Sequence, residues 1–465
     1  MTPAPPATLL ATFLAIVAPW RAVFPQARTY RRAVRQALGS LCCVGRRCLS
    51  RIIWAVGRHG RSWSAEYFLH SRCHWDAQAL FQPILAQALP LCRGRLIGVA
   101  VDDTRVHKTG RCIEQAAFYR DPLSPPFHVN LVLAIRFLQA SLLVPFHTQA
   151  PVSTRALPIR FDDVPRVKKP SPKADAAVVA AYKAAVKATN LSQHFVTMAQ
   201  GLRDALDAAG GAVKRLVLAV DGSFCNRTCF RTIPERTELI GRTRKDAKLC
   251  RPAAGGSRRV YDTTRFTPEE VRHDDAQPWR VTKVCYGGKR RKIRYKEVLR
   301  ILWRGGARRR LLRLLVVAPT PYRKRKSGKL YYRQPAYLLT TDLTSGARGL
   351  LQIYFDRWQI EVNHREEKDT LGIGQAQLWN RDAVPKQPAL SVAAYSALLL
   401  ASLLTFGIAR GTAYAALPKW RRHARRPSCL DLVTLLRKEI VEHPELVSEF
   451  DFTATDEGLI RGAAA

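Results

Sequence analysis

The sequence predicts an α/β protein: buried central strands, a basic strand-rich stretch in the second half, and helical regions at both ends. Three observations predict it. Leu96 to Val101 and Arg215 to Val220 are compact apolar runs that each lead into aspartate, as a buried strand does when it delivers an acid at its C-terminal end. Ala174 to Asn190 and Ser192 to Ala209 are Ala-rich with charges at helical spacing. Lys289 to Arg294 alternate, and Leu311 to Val317 form an apolar run, which suggests further strands.

A length of 465 residues suits two or three domains. A composition of 47% hydrophobic and 24% charged residues excludes a disordered or collagen-like chain. Charge is the outlier: 76 Lys and Arg against 36 Asp and Glu leave a net +40. Such an excess repels itself unless a polyanion relieves it, so nucleic acid is the expected partner. A small-metabolite enzyme without such a partner is disfavoured. The eleven cysteines are odd in number and irregular in spacing, which points to reduced intracellular thiols. Cys225 and Cys229 have no second Cys/His pair at zinc-site spacing.

Taken in order, residues 1 to 90 read as helical. Tyr30, Val34 and Leu38 recur at a four-residue step with arginines between them, which fits either a small DNA-binding bundle or a solvated helical face. Leu9 to Trp20 is too short to span a bilayer, and Met1-Thr-Pro-Ala-Pro-Pro supplies no basic leader, so no signal peptide is expected. After the Leu96 run, Val129 to Phe137 and Ser141 to Phe146 look like separate strands, and Thr237 to Arg242 like another.

Residues 281 to 333 hold nineteen Lys and Arg and one acid, Glu297, with Tyr286, Tyr295, Trp303, Tyr322, Tyr331 and Tyr332 interleaved. Cations for phosphates beside rings for unpaired bases make this the strongest candidate nucleic-acid surface in the chain. Ala336 to Asp342 reads as a last strand, followed by a helix from Gly346 to Asp369. Ala389 to Ala409 runs 21 residues without a charge. That length permits a membrane span. Ser391, Tyr395, Ser396, Ser402 and Thr405 dilute it, so a buried core helix is expected and a membrane partner is not. A basic patch, Lys419 to Arg426, and a short helix, Leu430 to Ile440, complete the chain.

Three acids stand out by context. Asp103, or its neighbour Asp102, follows one apolar run, Asp221 follows the second, and Glu361 lies on the helix after the last strand. Carboxylates at the ends of buried strands are costly unless solvated, paired or metal-bound. Convergence on Mg²⁺ would explain their placement, since that ion takes a few carboxylates together with water and phosphate oxygens. An Asp after a strand is also a common turn residue, so neither aspartate carries the reading alone. At about 100° per residue, Tyr354, Arg357, Glu361 and Lys368 fall within about one 60° wedge of the helix. That stripe sets one acid among a phenol, a guanidinium and an amine suited to DNA phosphates. Asp356, Glu366 and Glu367 equally allow a surface helix laced with ion pairs.

The four-residue pattern Y-(2)-R-(3)-E-(6)-K, matched by Tyr354, Arg357, Glu361 and Lys368, resembles the signature of DDE transposases of bacterial insertion sequences, in the insertion-sequence-four superfamily. Asp102-Asp103-Thr104 and Val220-Asp221-Gly222 are similar to that family's first two acids, over a resemblance spanning roughly residues 95 to 380. The resemblance implies an RNase H-like mixed sheet flanked by helices, with a β-rich insertion between Asp221 and Glu361. It implies cleavage at element ends with Mg²⁺, or Mn²⁺ as a substitute, and attack of the exposed 3′-hydroxyl on target DNA.

The family pattern of an acid followed by Asp-Thr selects Asp103 as first ligand, with Asp221 and Glu361 completing the metal and catalytic set. Adjacent strand residues face opposite ways, so only one of Asp102 and Asp103 can be that ligand. Tyr354, Arg357 and Lys368 carry over as contacts to the end phosphates. In relatives that form a DNA hairpin, a Trp of the insertion assists base flipping, and Trp279 and Trp303 are candidates. Arg365 and the run Lys289, Arg290, Arg291 and Lys292 join the expected DNA contacts.

The expected division is a helical, DNA-binding region over 1–90, a catalytic core over 91–246 and 336–385, a basic β-rich insertion over 247–335, and a helical C-terminal region over 386–465 suited to oligomerisation. The expected partners are double-stranded DNA, as element ends and as target, and a second copy of the chain. The expected setting is the bacterial cytoplasm, at the nucleoid.

Overall fold

β1 (Leu96–His107) is longer than the apolar run that predicts it. In the computed structural model, which describes residues 8–121, 124–125, 127–144, 154–255, 258–287, 289–325, 327–407, 427–454 and 459, the acids sit inside this strand. β2 (Ala117–Arg120) and β3 (Leu131–Val144) follow. The antiparallel partner β3 holds β1 in register well past them, with Asp102 opposite Gln139, Asp103 opposite Leu138 and His107 opposite Ala134. β3 itself joins the two strands expected between Val129 and Phe146. Gln139 and Ser141 look like a break in the sequence, but both are buried. The Gln139 amide nitrogen donates to Ser141 (3.2 Å) and Glu367 (2.9 Å), while its Oε1 has no hydrogen-bond partner among the described residues.

β4 (Arg155–Asp163) pairs with the other edge of β3, a strand that nothing in the sequence reading anticipates. β5 (Arg215–Val220) lies parallel to β1, and β6 (Thr237–Arg242) parallel to β5. The chain then leaves the sheet through the small hairpin of β7 (Leu249–Pro252) and β8 (Tyr261–Phe266). It returns as β9 (Arg280–Tyr286), β10 (Lys289–Ile301) and β11 (Leu312–Val317). β12 (Pro321–Arg323) and β13 (Leu330–Tyr332) form a second exposed hairpin, and β14 (Ala336–Thr340) re-enters beside β6. The basic stretch therefore does not fold as a wholly separate sheet. Through β14, the strands β11, β10 and β9 extend the central one, which has ten strands of mixed direction.

Helices cover both faces, the layering that an RNase H-like core requires. α1 (Leu9–Val17), α2 (Ala27–Cys42), α3 (Leu49–Ala55), α4 (Ser64–Ser71) and α5 (Phe81–Ala88) form the N-terminal body. α6 (Ala176–Ala188) and α7 (Leu191–Leu206) bridge β4 to β5. The short α8 (Arg227–Arg231), α9 (Pro268–His273) and α10 (Arg304–Ala307) punctuate the loops. α11 (Ala347–Asp356) and α12 (Trp358–Arg365) pack on the opposite face, where Ile353 and Ile360 meet Ala100, Val217 and Ala219. Any side chain at Gly98 would meet Ile353 at 3.2 Å, so the glycine permits this close approach.

α13 (Ala383–Phe406) is the apolar helix whose length alone permits a membrane span. Its most apolar stretch is 83% buried against β4, α1 and α2, and Ser396 donates to the Pro158 carbonyl at 2.6 Å. It is a core helix of this fold. α14 (Cys429–Glu442) closes the same layer. Its Glu439 accepts from the backbone N–H of Leu9 (3.2 Å) and Leu10 (2.6 Å), satisfying the first turn of α1 across the whole chain. The two terminal regions are thus one helical layer. Within it, two α2 arginines turn inward: Arg35 (2.5 Å) and Arg32 (3.3 Å) both pair with the buried Glu66 of α4. Arg28 and Arg31 remain exposed. The basic patch Lys419 to Arg426 lies outside the described residues.

Candidate active site

Strand parity sorts the first two acids. Gly98, Ala100 and Asp102 point to the α11/α12 face, while Val101 and Asp103 point to the other. The Asp102 carboxylate accepts from Arg357 (3.2 Å), and the same guanidinium reaches Glu361 (3.2 Å). Asp103 accepts from Arg136 of β3 at 2.8 Å. Asp221 ends β5. Pairing Ala100 with Ala219 brings it level with Asp102, and it accepts from the Ser223 backbone N–H (2.8 Å) and hydroxyl (3.1 Å). Burial pushes the Asp102 carboxyl up to about 7, with Asp221 and Asp103 adding to the rise and Arg357 opposing it.

A cavity of about 770 Å³ opens at the end of β1. Asp103, Asp221, His364 and Lys368 line it, and Arg46 enters from the N-terminal body. The structure therefore divides the four acids into two pairs. Asp103 and Asp221 share the open cavity, and Asp102 is tied to Glu361 through Arg357. Among the described residues no three metal-ligating side chains converge on one point. The donor set nonetheless suits a hard divalent cation: it offers carboxylate oxygens, and Asp221 and Asp103 lie near enough to Asp102 to add to the rise that burial gives its carboxyl.

The helix stripe is reproduced with one change. α11 and α12 meet at Arg357, and a wider turn follows over Glu366–Thr370, so Lys368 leaves the regular helix. Burial lowers the Lys368 ammonium and raises the Tyr354 phenol. Arg365 is exposed. Lys289, Arg290, Arg291 and Lys292 are exposed at the start of β10. Trp303 lines a second cavity of about 1030 Å³ that begins at Gly222, next to Asp221, and is ringed by Arg242, Arg244, Lys245, Lys248 and Arg272. Trp279 is instead covered by Arg294 (5.1 Å) and Lys296 (4.9 Å) over its ring.

Several residues of the cleft escape the sequence reading. Arg136 sits on a strand and pairs only through tertiary register. His364 lies one turn after Glu361, a spacing that could have drawn notice, and burial drives its imidazole down to about 3, so it stays neutral. Its Nε2 has no hydrogen-bond partner among the described residues. Lys108 donates to the carbonyls of Gly374 (3.3 Å) and Ala376 (2.8 Å), fastening the segment after Lys368 to the end of β1. Glu367 is fully buried and pushed up to about 8 by that burial, which keeps it protonated beside Gln139.

Residues 21–310, well over half of the chain, match the family described as DDE superfamily endonuclease. The matched span includes Asp102, Asp103 and Asp221 and stops before the helices that carry Glu361. No curated protein is significantly similar to the chain in sequence.

Proposed function

The chain belongs to the DDE superfamily of endonucleases, and from that membership we propose that it is a DNA transposase of the insertion-sequence-four type. It would cleave the ends of an insertion sequence and join them to target DNA by cut-and-paste phosphoryl transfer. Membership itself carries the coarser statement: a metal-dependent nuclease that acts on DNA. The observation that supports the finer one is the Tyr354, Arg357, Glu361 and Lys368 stripe, in which Arg357 bonds Asp102 and Glu361, and Lys368 lines the cavity of Asp103 and Asp221.

In this reading Asp221 and Glu361 hold Mg²⁺, or Mn²⁺ in its place, with Asp103, or Asp102 on the face of Glu361, as the first acid, and Asp102 positions Arg357. Bound there, the ion activates the attacking oxygen and stabilises the leaving one. Lys368 and Arg357 take the phosphates flanking the scissile bond, and Tyr354 and Arg365 flank them on the same helical segment. Trp303, at the mouth of the basic cavity beside Asp221, is better placed than Trp279 to stack an unpaired base. The exposed Lys289, Arg290, Arg291 and Lys292 follow the duplex backbone. The N-terminal helices bind element ends, and the C-terminal helices serve a homodimer in the DNA complex, at the bacterial nucleoid in the cytoplasm.

The test is to incubate the protein with DNA carrying its cognate element ends and a target plasmid, with and without Mg²⁺. Cut ends joined to the plasmid support transposition. Cleavage without joining reduces the reading to an endonuclease, and inertness under both conditions overturns it.

A further inference from the structure

Arg357 occupies an unusual place for a residue expected to hold DNA. Its guanidinium spans Asp102 and Glu361, 3.2 Å from each, and its side chain is only 14% exposed. It sits where opposite charge is most needed. Across the sheet Arg136 holds Asp103 at 2.8 Å. Each of these carboxylates therefore already has a cationic partner within the chain. No three potential ligands converge among the described residues, and the bridging guanidinium supplies a physical reason: it holds Glu361 toward Asp102 instead of toward the cavity that Asp103 and Asp221 line.

We propose that Arg357 is a substrate-released latch on the metal site. In the DNA-free protein it clasps Asp102 and Glu361, and a DNA phosphate draws the guanidinium away before the acids close on a divalent cation. The exchange is chemically even. An arginine that donates to carboxylates finds an equivalent two-oxygen acceptor in a phosphate, at the same kind of charge-assisted hydrogen bond. Moving one positive charge out of the cleft then makes room for a doubly charged ion. The latch rests on the metal-dependent nuclease reading and adds its regulation: DNA and metal load together, so the protein is inert toward metal until DNA is seated. Linkage makes the coupling reciprocal, and the factor by which DNA tightens metal binding equals the factor by which metal tightens DNA binding.

The experiment follows free Mn²⁺ by electron paramagnetic resonance during titration of the full-length protein, with and without a short duplex of arbitrary sequence. No turnover is involved. The wild type is expected to bind Mn²⁺ weakly alone and roughly tenfold tighter with the duplex, within the usual range of such couplings. Arg357→Gln is expected to bind Mn²⁺ tightly without DNA and to gain little when DNA is added. Arg357→Met, checked for folding by circular dichroism, gives the same answer through a different side chain. The latch is overturned when both folded variants bind Mn²⁺ alone no tighter than the wild type. In that event, tight binding by the wild type with duplex would leave the metal site standing without its latch. Absence of Mn²⁺ binding in every sample would remove the metal-site reading as well.

Discussion

Asp102→Asn is the most informative single change in the cleft. Burial, helped by Asp221 and Asp103 and opposed by Arg357, lifts the Asp102 carboxyl from its ordinary value of 3.8 to about 7. A rise of about three units is worth about 4 kcal/mol between its two protonation states. The sign follows from where the protons sit. Below about pH 4 the group is protonated folded and unfolded, and it contributes no pH dependence. Between pH 4 and 7 the unfolded chain releases the proton first, so stability falls as pH rises and the full loss is present above 7. Asparagine keeps the shape and removes the titration. Unfolding of wild type and variant should be measured from pH 4 to 8 in urea, without divalent ions. The wild type should lose up to about 4 kcal/mol relative to the variant across that window. Glu367, pushed up to about 8, tilts both curves alike and drops out of the difference. Parallel curves would refute the assignment of Asp102 as a buried, charge-stressed acid.

Three further outcomes follow from the same geometry. Asp103→Asn, Asp221→Asn and Glu361→Gln should each abolish end cleavage while gel-shift binding persists, because the basic surface carries the affinity; Asp102→Asn should retain substantial cleavage, and the opposite pattern for the Asp102–Asp103 pair would exchange their roles. Neutralising Lys289, Arg290, Arg291 and Lys292 together should lower the log–log salt slope of duplex binding by roughly 0.9 per lost phosphate contact, and an unchanged slope would mark the run as a solvated face. Leu398→Ala, at a fully buried position of α13, should cost about 2–5 kcal/mol of stability in detergent-free buffer; a stable variant that partitions into membranes would contradict the core placement.

Much of the cleft is legible in the sequence because its chemistry is carried by short local patterns. The apolar runs before Asp102 and Asp221 and the spacing of Tyr354, Arg357 and Glu361 need only a strand and a helix to make sense. Pairing is what stays hidden. β4 reads poorly because Pro158, Arg160, Asp162 and Asp163 interrupt its apolar residues, and only the long β3 beside it supplies a template. The same strand hides Arg136, whose bond to Asp103 depends on the register of β1 against β3. The basic stretch announces its charge but not its continuity with the central sheet. That continuity is set by β14 lying between β6 and β11, a placement no local pattern encodes. The true end of β1 is hidden for a similar reason, since acids in a strand interior are tolerated only when partners such as Arg357 and Arg136 arrive from elsewhere.

The bond between Glu439 and the first turn of α1 has a consequence for how the protein is made. The two ends of that contact are 430 residues apart. At roughly 5–20 residues per second, a ribosome that has just released α1 needs on the order of 20–90 seconds to deliver its cap. During that interval Leu10, Phe13 and Val17, fully buried in the finished protein, have neither α13 nor α14 to cover them. The nascent N-terminal helices are therefore candidates for a holding chaperone, and a polypeptide released before α14 has emerged leaves them open. Completion of the N-terminal body is timed by a residue synthesised 430 positions later.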